Sequence, residues 1–314
     1  MVISSGRDRV FDSLRGLAVV LMVWQHTGLY LLTDLTQFYY GYAVLASRLS
    51  APIFLVLAGY FVGSSASRRI SVGGRLFFFK RIMYRVFELC VLGLVVNLLR
   101  FDGLLYINIL HLIAFGILFC ALVYLSGSRV VYFIALASCF VYLFSGAGYP
   151  FEVMVSSPQS VLVWFFASGE FPIASWVIYS LIGLGVFWFG GGVRVDRVFA
   201  GEALIITGLL SSLVLDYGSI AVNCVPFMLV VSGFMFLAYQ LMLWSRISNP
   251  VFSGFLAAFG RHALGVYVWH LFVFSALTQL LGVSNLLSWP GAALVYLASL
   301  FAAYLFVIWF ESVR

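Results

Sequence analysis

Charge is the scarcest property of this chain: only 9% of its 314 residues are Asp, Glu, Lys or Arg. A soluble globular domain carries about 25%. Scarce charge, together with 64% apolar residues and a mean hydropathy of +1.11, excludes an ordinary water-soluble fold. It implies a polytopic membrane protein. The eleven acidic residues are too few and too scattered for a metal cage, so no metal is expected. Cys90, Cys120, Cys139 and Cys224 are dispersed through apolar runs and read as small core residues rather than a disulfide or metal framework. Patterns of the HExxH, CxxC, GxxxxGK[ST] and GxSxG types are absent, as is any haem or flavin signature. The net charge of +6 does not point to nucleic acid in such a chain and is read loop by loop instead. The first apolar run is longer than the stretch of about 7–15 residues in a cleavable signal, and no small-residue cleavage site follows it.

What the chain does have is length in its apolar runs. Breaks at Gly, Pro, Asn and charge predict ten spans, at 14–33, 43–63, 77–99, 106–125, 129–146, 173–190, 196–214, 219–244, 257–280 and 288–310. Fifteen of the seventeen basic residues then fall on or near one side, Arg48 and Arg100 being the exceptions. That asymmetry places both termini in the cytoplasm. No repeat of 20–50 residues is visible. The expected fold is all-α, a membrane helix bundle of about ten transmembrane helices, forming a single domain over residues 1–314 in the cell membrane. Segment 147–172, which carries Glu152 and Glu170 and no basic residue, reads either as a re-entrant cover over a site or as an ordinary outer loop.

The first span holds two ionisable groups, Arg15 and His26. Eleven steps of about 100° return to within roughly 20° of the start, so the two share a helical face about 16 Å apart along the axis. Ionisable groups inside a span are costly and point to function by default. A snorkelling Arg15 with a His26 satisfied by a neighbouring helix is the plainer alternative. In the ten-span arrangement, Arg48 and His111 lie at a depth similar to that of His26. The third span opens KRIMYRVFEL, where Arg81, Arg85 and Glu88 share a face. Glu88 needs a partner, and Arg85 is nearest. Guanidinium groups there suit an anionic ligand such as phosphate, because they donate paired hydrogen bonds in one plane; simple positive-inside anchoring is the alternative. In the ninth span, GRHALGVYVWHLFVF, His270 lies roughly 12 Å beyond His262 and about 80° around the same helix. His270 therefore reads as a hydrogen-bonding brace rather than as His262's partner.

Taken in order, these segments resemble the transmembrane acyltransferase superfamily. FDSLRGLAVVLMVWQH resembles its opening, and SAPIFLVLAGYFVG its proline-containing second span, which is followed by a basic loop and a third span with arginines. NILHLIAFGILF, FPIASWVIYSLIGLGVF and GRHALGVYVWHLFVF resemble its fourth, sixth and late spans. The similarity is closest to heparan-α-glucosaminide N-acetyltransferase-like proteins, and next to the acyltransferase-3 family. Three residues separate Arg81 from Arg85, where acyltransferase-3 proteins usually leave two. The resemblance implies an acyltransferase that carries an acyl group, by preference acetyl, from cytoplasmic acyl-CoA (acetyl-CoA) to a hydroxyl or amine of a sugar or glycan acceptor at the outer face. It implies His26 as general base or acyl carrier, and His111 or Arg48 as the group that orients the acceptor or stabilises the oxyanion. Arg15, Arg81 and Arg85 are then the CoA-binding cations. Membrane lipids are the expected surroundings, nucleic acid is not a partner, and a homodimer stays open. A transporter or flippase of a polar or glycolipid substrate also uses buried Arg and His, but it commonly shows paired broken spans, which are not evident here. A non-catalytic scaffold that keeps the fold is the third reading.

Overall fold

The computed structural model describes residues 9–32, 49–100, 107–144, 173–189, 201–208, 225–280, 282 and 287–312. Long apolar runs leave backbone N–H and C=O groups without water, and a helix satisfies them within the segment. Among the described residues the regular structure is accordingly helical, apart from one isolated bridge between Leu32 and Leu287. We number the helices α1 (Arg9–Leu31), α2 (Ser50–Arg100), α3 (Ile109–Leu125), α4 (Arg129–Phe144), α5 (Ile173–Phe189), α6 (Val225–Ser248), α7 (Pro250–Arg261), α8 (Ala263–Leu280) and α9 (Trp289–Ser312). Residues 201–208 are also helical. The chain forms two compact units, Met1–Ile53 with Met235–Arg314, and Phe54–Phe234.

In the first unit, α1 packs against α7, α8 and α9. Its approach to α7 is a backbone-to-backbone contact made possible by glycine. A Cβ on Gly16 would fall on the Leu256 carbonyl oxygen, and one on Gly260 would fall on the Asp12 carbonyl oxygen. Reciprocal small residues of this kind let apolar helices close on one another where no hydrophobic driving force separates protein from lipid. Ser13, 1% exposed, adds a bond across the interface by donating to the Ser253 carbonyl oxygen at 3.0 Å. In the second unit, α5 packs on α3 and α4. Gly59 and Gly183 make the same kind of close approach between the first half of α2 and α5, with Ser180 and Val56 as their backbone neighbours.

Two of the expected boundaries differ. Residues 64–76, read from sequence as a basic loop between two spans, are helical up to a break at Gly74, whose φ of 75° and ψ of 175° leave the helix. Local bonds sustain that extension. Ser67 and Arg68 donate to the Ser64 carbonyl oxygen at 3.0 and 3.2 Å, and Ser71 donates to that of Arg68 at 2.7 Å. The second difference is that residues 257–280 are not one straight span. Asn249 caps a new helix with Pro250 at its first turn, and that helix ends at His262 (φ −110°, ψ 21°). The chain then bends by 77° into α8.

Among the described residues, Pro290–Ser312 alone is long and apolar enough to cross a bilayer unaided, and α7 with α8 meets the same test as a bent pair. Helix α3, with 17 residues, reaches about 26 Å at 1.5 Å per residue, slightly less than a hydrocarbon core of about 30 Å. Large apolar side chains lie exposed along α2 (Phe87, Leu94, Leu98) and α9 (Leu294, Phe301, Trp309). Faces of that extent suit lipid rather than water. Segment 147–172, the second-span start and the expected span at 196–214 lie wholly or partly outside the described residues.

The glycine contacts make a stability prediction. Gly16→Ala and Gly260→Ala should each destabilise the detergent-solubilised protein by about 1–3 kcal/mol through overpacking, read as a lower midpoint of thermal unfolding. Midpoints equal to wild type would mean that α1 and α7 are not in backbone contact.

Candidate active site

Helix α1 runs unbroken from Arg9 to Leu31, so the helical spacing that places Arg15 and His26 on one face holds over the whole interval. Each of the two has a partner. Arg15 Nη1 donates to Asp12 Oδ1 at 2.8 Å, and Asp12 is 3% exposed. A buried carboxylate needs a partner, and the i,i+3 spacing brings one from the same helix.

His26, half-buried in the C-terminal half of α1, meets His270 of α8. His26 Nδ1 lies 2.8 Å from His270 Nε2, and the rings meet edge to edge, with centroids 5.0 Å apart and planes 27° from parallel. His270 is 2% exposed, and its other nitrogen, Nδ1, lies 3.0 Å from the Val266 carbonyl oxygen one turn earlier. The pair is bordered by rings: Tyr30 beside His26 at 6.0 Å, with Tyr267 and Phe274 beside His270 at 5.5 and 5.9 Å.

His262 stands at the bend, where it caps the end of α7 and its carbonyl oxygen accepts the first bond of α8 from the Val266 N–H at 3.0 Å. His262 belongs to a polar corner. Arg261 donates to Glu311 Oε1 through Nε at 3.0 Å and Nη2 at 2.7 Å, and His262 Nε2 lies 3.1 Å from the same oxygen. The corner ties the end of α7 to the end of α9.

In the second unit, Arg81 is exposed on α2. Arg85 is paired with Glu88 at 2.7 Å, and both side chains are about half exposed. His111 occupies the third position of α3 in a capping box. Asn108 Oδ1 accepts from the backbone N–H of Leu110 and His111, while the Asn108 N–H donates to His111 Nδ1 at 3.4 Å. Asn108 Nδ2 donates to the Gly93 carbonyl oxygen at 2.8 Å and to Asn97 Oδ1 at 2.7 Å. The His111 ring packs over Gly93, where a Cβ would strike it. Arg48 lies outside the described residues. Among the described residues no group of His, Cys, Asp and Glu could hold a metal ion.

Sequence reasoning passed over Asp12, whose i,i+3 spacing to Arg15 was in plain view, and Asn97 with Asn108. The meeting of His26 with His270 joins positions 244 residues apart, and no local pattern encodes it.

Among the described residues, helices that hold paired imidazoles among apolar and aromatic side chains define a helical protein with a polar centre. The family described as heparan-alpha-glucosaminide N-acetyltransferase, catalytic, matches residues 7–187. That is more than half of the chain, and the chain belongs to this acetyltransferase family. The matched stretch contains Arg15, His26, Arg48, Arg81, Arg85 and His111 and ends before His270. No curated protein matches the chain.

The capping box is directly testable. Asn108→Ala removes the acceptor of two helix N–H groups and one donor to the buried Asn97 Oδ1, and should cost about 1–3 kcal/mol. Thermal unfolding that is unchanged in Asn108→Ala would show that the network does not hold α3 in place.

Proposed function

We propose that this protein is a multi-pass cell-membrane acetyltransferase. It transfers an acetyl group from cytoplasmic acetyl-CoA to an amine or hydroxyl of a sugar or glycan acceptor at the outer face. The observation that supports this reading best is His26, an imidazole held in an apolar and aromatic surround by a defined hydrogen bond, within the stretch matched to an acetyltransferase family. Ten spans with both termini cytoplasmic remain the proposed topology, on the strength of the charge asymmetry.

The chemistry asked of the residues is modest. His26 takes the proton of the acceptor N–H or O–H as the acceptor nitrogen or oxygen bonds to the thioester carbonyl carbon. The tetrahedral intermediate then collapses with cleavage of the C–S bond, and His26 returns the proton to the departing thiolate. The alternative route has the imidazole attack the thioester itself and hold the acetyl group before the acceptor removes it. Either route needs a neutral imidazole, whose ordinary titration range lies near working pH. His111 and Arg48 are proposed to orient the acceptor or stabilise the developing oxyanion.

Donor binding is assigned to guanidinium groups, which match phosphate geometry in pairs of hydrogen bonds. Arg15 stands about 16 Å from His26 along α1, a separation suited to a ligand with anionic groups at one end and a reactive thioester at the end of a long arm. Its pairing with Asp12 fixes the guanidinium in place while a quarter of the side chain stays exposed, at 24%. On α2, Arg81 and Arg85 are proposed as further phosphate contacts.

Two measurements test the proposal. Transfer from labelled acetyl-CoA to sugar amines in proteoliposomes should fall by about 10²- to 10⁴-fold in His26→Ala; full transfer by that variant would remove His26 from the chemistry. Saturating CoA, at about 100 times its Kd, should stabilise the wild-type protein by about 2.7 kcal/mol. No thermal shift with CoA at any concentration would argue against a CoA-dependent enzyme.

A further inference from the structure

The bonds around the two imidazoles assign their protons. A carbonyl oxygen can only accept, so the 3.0 Å contact between His270 Nδ1 and the Val266 oxygen requires the hydrogen on His270 Nδ1. A neutral His270 then has its lone pair on Nε2. Its burial at 2% exposure, with the rings of Tyr267 and Phe274 against it, favours the neutral ring, because enclosing an ion among apolar side chains is costly. His270 Nε2 is therefore the acceptor in the 2.8 Å contact, and His26 Nδ1 carries the hydrogen. Only one nitrogen of a neutral imidazole holds a proton, so the basic lone pair of His26 is on Nε2.

We infer that His270 is a positioning residue that fixes the tautomer of His26, leaving His26 Nε2 as the atom that takes the acceptor's proton or bonds to the acyl group. The inference rests on the acetyltransferase reading above for the reaction, but not for the tautomer. Both routes use the same arrangement. When Nε2 gains a proton from the acceptor, or an acetyl group from the thioester, the ring becomes cationic. The hydrogen bond from Nδ1–H to His270 Nε2 then becomes charge-assisted and shorter. In the first route the proton leaves Nε2 with the thiolate. In the second, the acetyl group leaves Nε2 for the acceptor, while the acceptor's proton passes to the thiolate already released. At the end of either route both imidazoles carry the protons with which they began. The edge contacts of Tyr267 and Phe274 and the one-turn bond to Val266 hold His270, so the direction of its lone pair is set by α8 rather than by substrate.

The role is analogous to that of the carboxylate in a serine-protease triad, which selects a histidine tautomer and steadies its cation. Here the orienting group is neutral. It can accept from Nδ1–H without placing a second charge inside the bundle.

The test uses the full chain in lipid nanodiscs with ring-¹⁵N-labelled histidine, the His26 signals being identified by their loss in His26→Gln. The expected spectrum shows His26 Nδ1 with the shift of a protonated, pyrrole-type nitrogen and Nε2 with that of an unprotonated, pyridine-type nitrogen. The reverse pattern overturns the inference. In the second arm, transfer from labelled acetyl-CoA is compared in two variants. His270→Gln puts an amide oxygen within reach of Nδ1–H and should keep kcat within about threefold of wild type. His270→Leu fills the space without an acceptor and should lower kcat by about 100-fold with KM for acetyl-CoA unchanged. Equal kcat values in the Gln and Leu variants overturn the inference, whether both are high or both low. The spectroscopic arm needs no substrate and decides the tautomer even if wild-type protein transfers no acetyl group, a result that would defeat the acetyltransferase reading instead.

Discussion

A polar group enclosed by apolar helices must find a hydrogen bond inside the protein, and His26 meets that requirement through His270. Meeting it fixes more than one ring. The bond requires α8 to lie against the C-terminal half of α1, while Gly16, Gly260 and Ser13 bring α7 against the N-terminal half. The 77° bend at His262 allows one continuous stretch of chain to reach both ends of α1. The Arg261–His262–Glu311 corner holds that bend by anchoring it to α9. The imidazole pair, the glycine contact and the corner together tie α1, α7, α8 and α9 to one another.

The second unit answers the same requirement differently. Asn97 and Asn108, 0% and 1% exposed, would each be costly alone. Together with the Gly93 carbonyl and the first N–H groups of α3 they form a network in which Asn108 uses both its donor and its acceptor. Buried networks of this kind specify geometry. His111 takes part through Nδ1.

Charge follows a parallel rule. The chain has eleven acidic residues against seventeen basic ones, and among the described residues three carboxylates each meet an arginine. Asp12 meets Arg15, Glu88 meets Arg85, and Glu311 meets Arg261. Such pairs contribute little at a wet surface. Beside hydrocarbon the comparison changes, because the alternative is an unpaired ion. The cost of leaving Asp12 alone, more than the strength of its ion pair, explains why Arg15 is held where it is.

Amino-acid order by itself determined whatever depends on neighbours three or four residues away. The helices, the common face of Arg15 and His26 and the partnership of Arg85 with Glu88 follow from apolar run length and from spacing near 3.6 residues per turn. Membership of the acetyltransferase family was equally readable, because the marker segments occur in sequence order. The Ser-rich stretch after residue 63 was misread as a loop, since hydropathy does not register the bonds from Ser67, Arg68 and Ser71 that continue α2. The tertiary structure alone decided that His270 meets His26 and that α7 turns away from α8. Both depend on how closely two helix backbones can approach and at what angle, which is a property of contacts between distant residues and has no period along the chain.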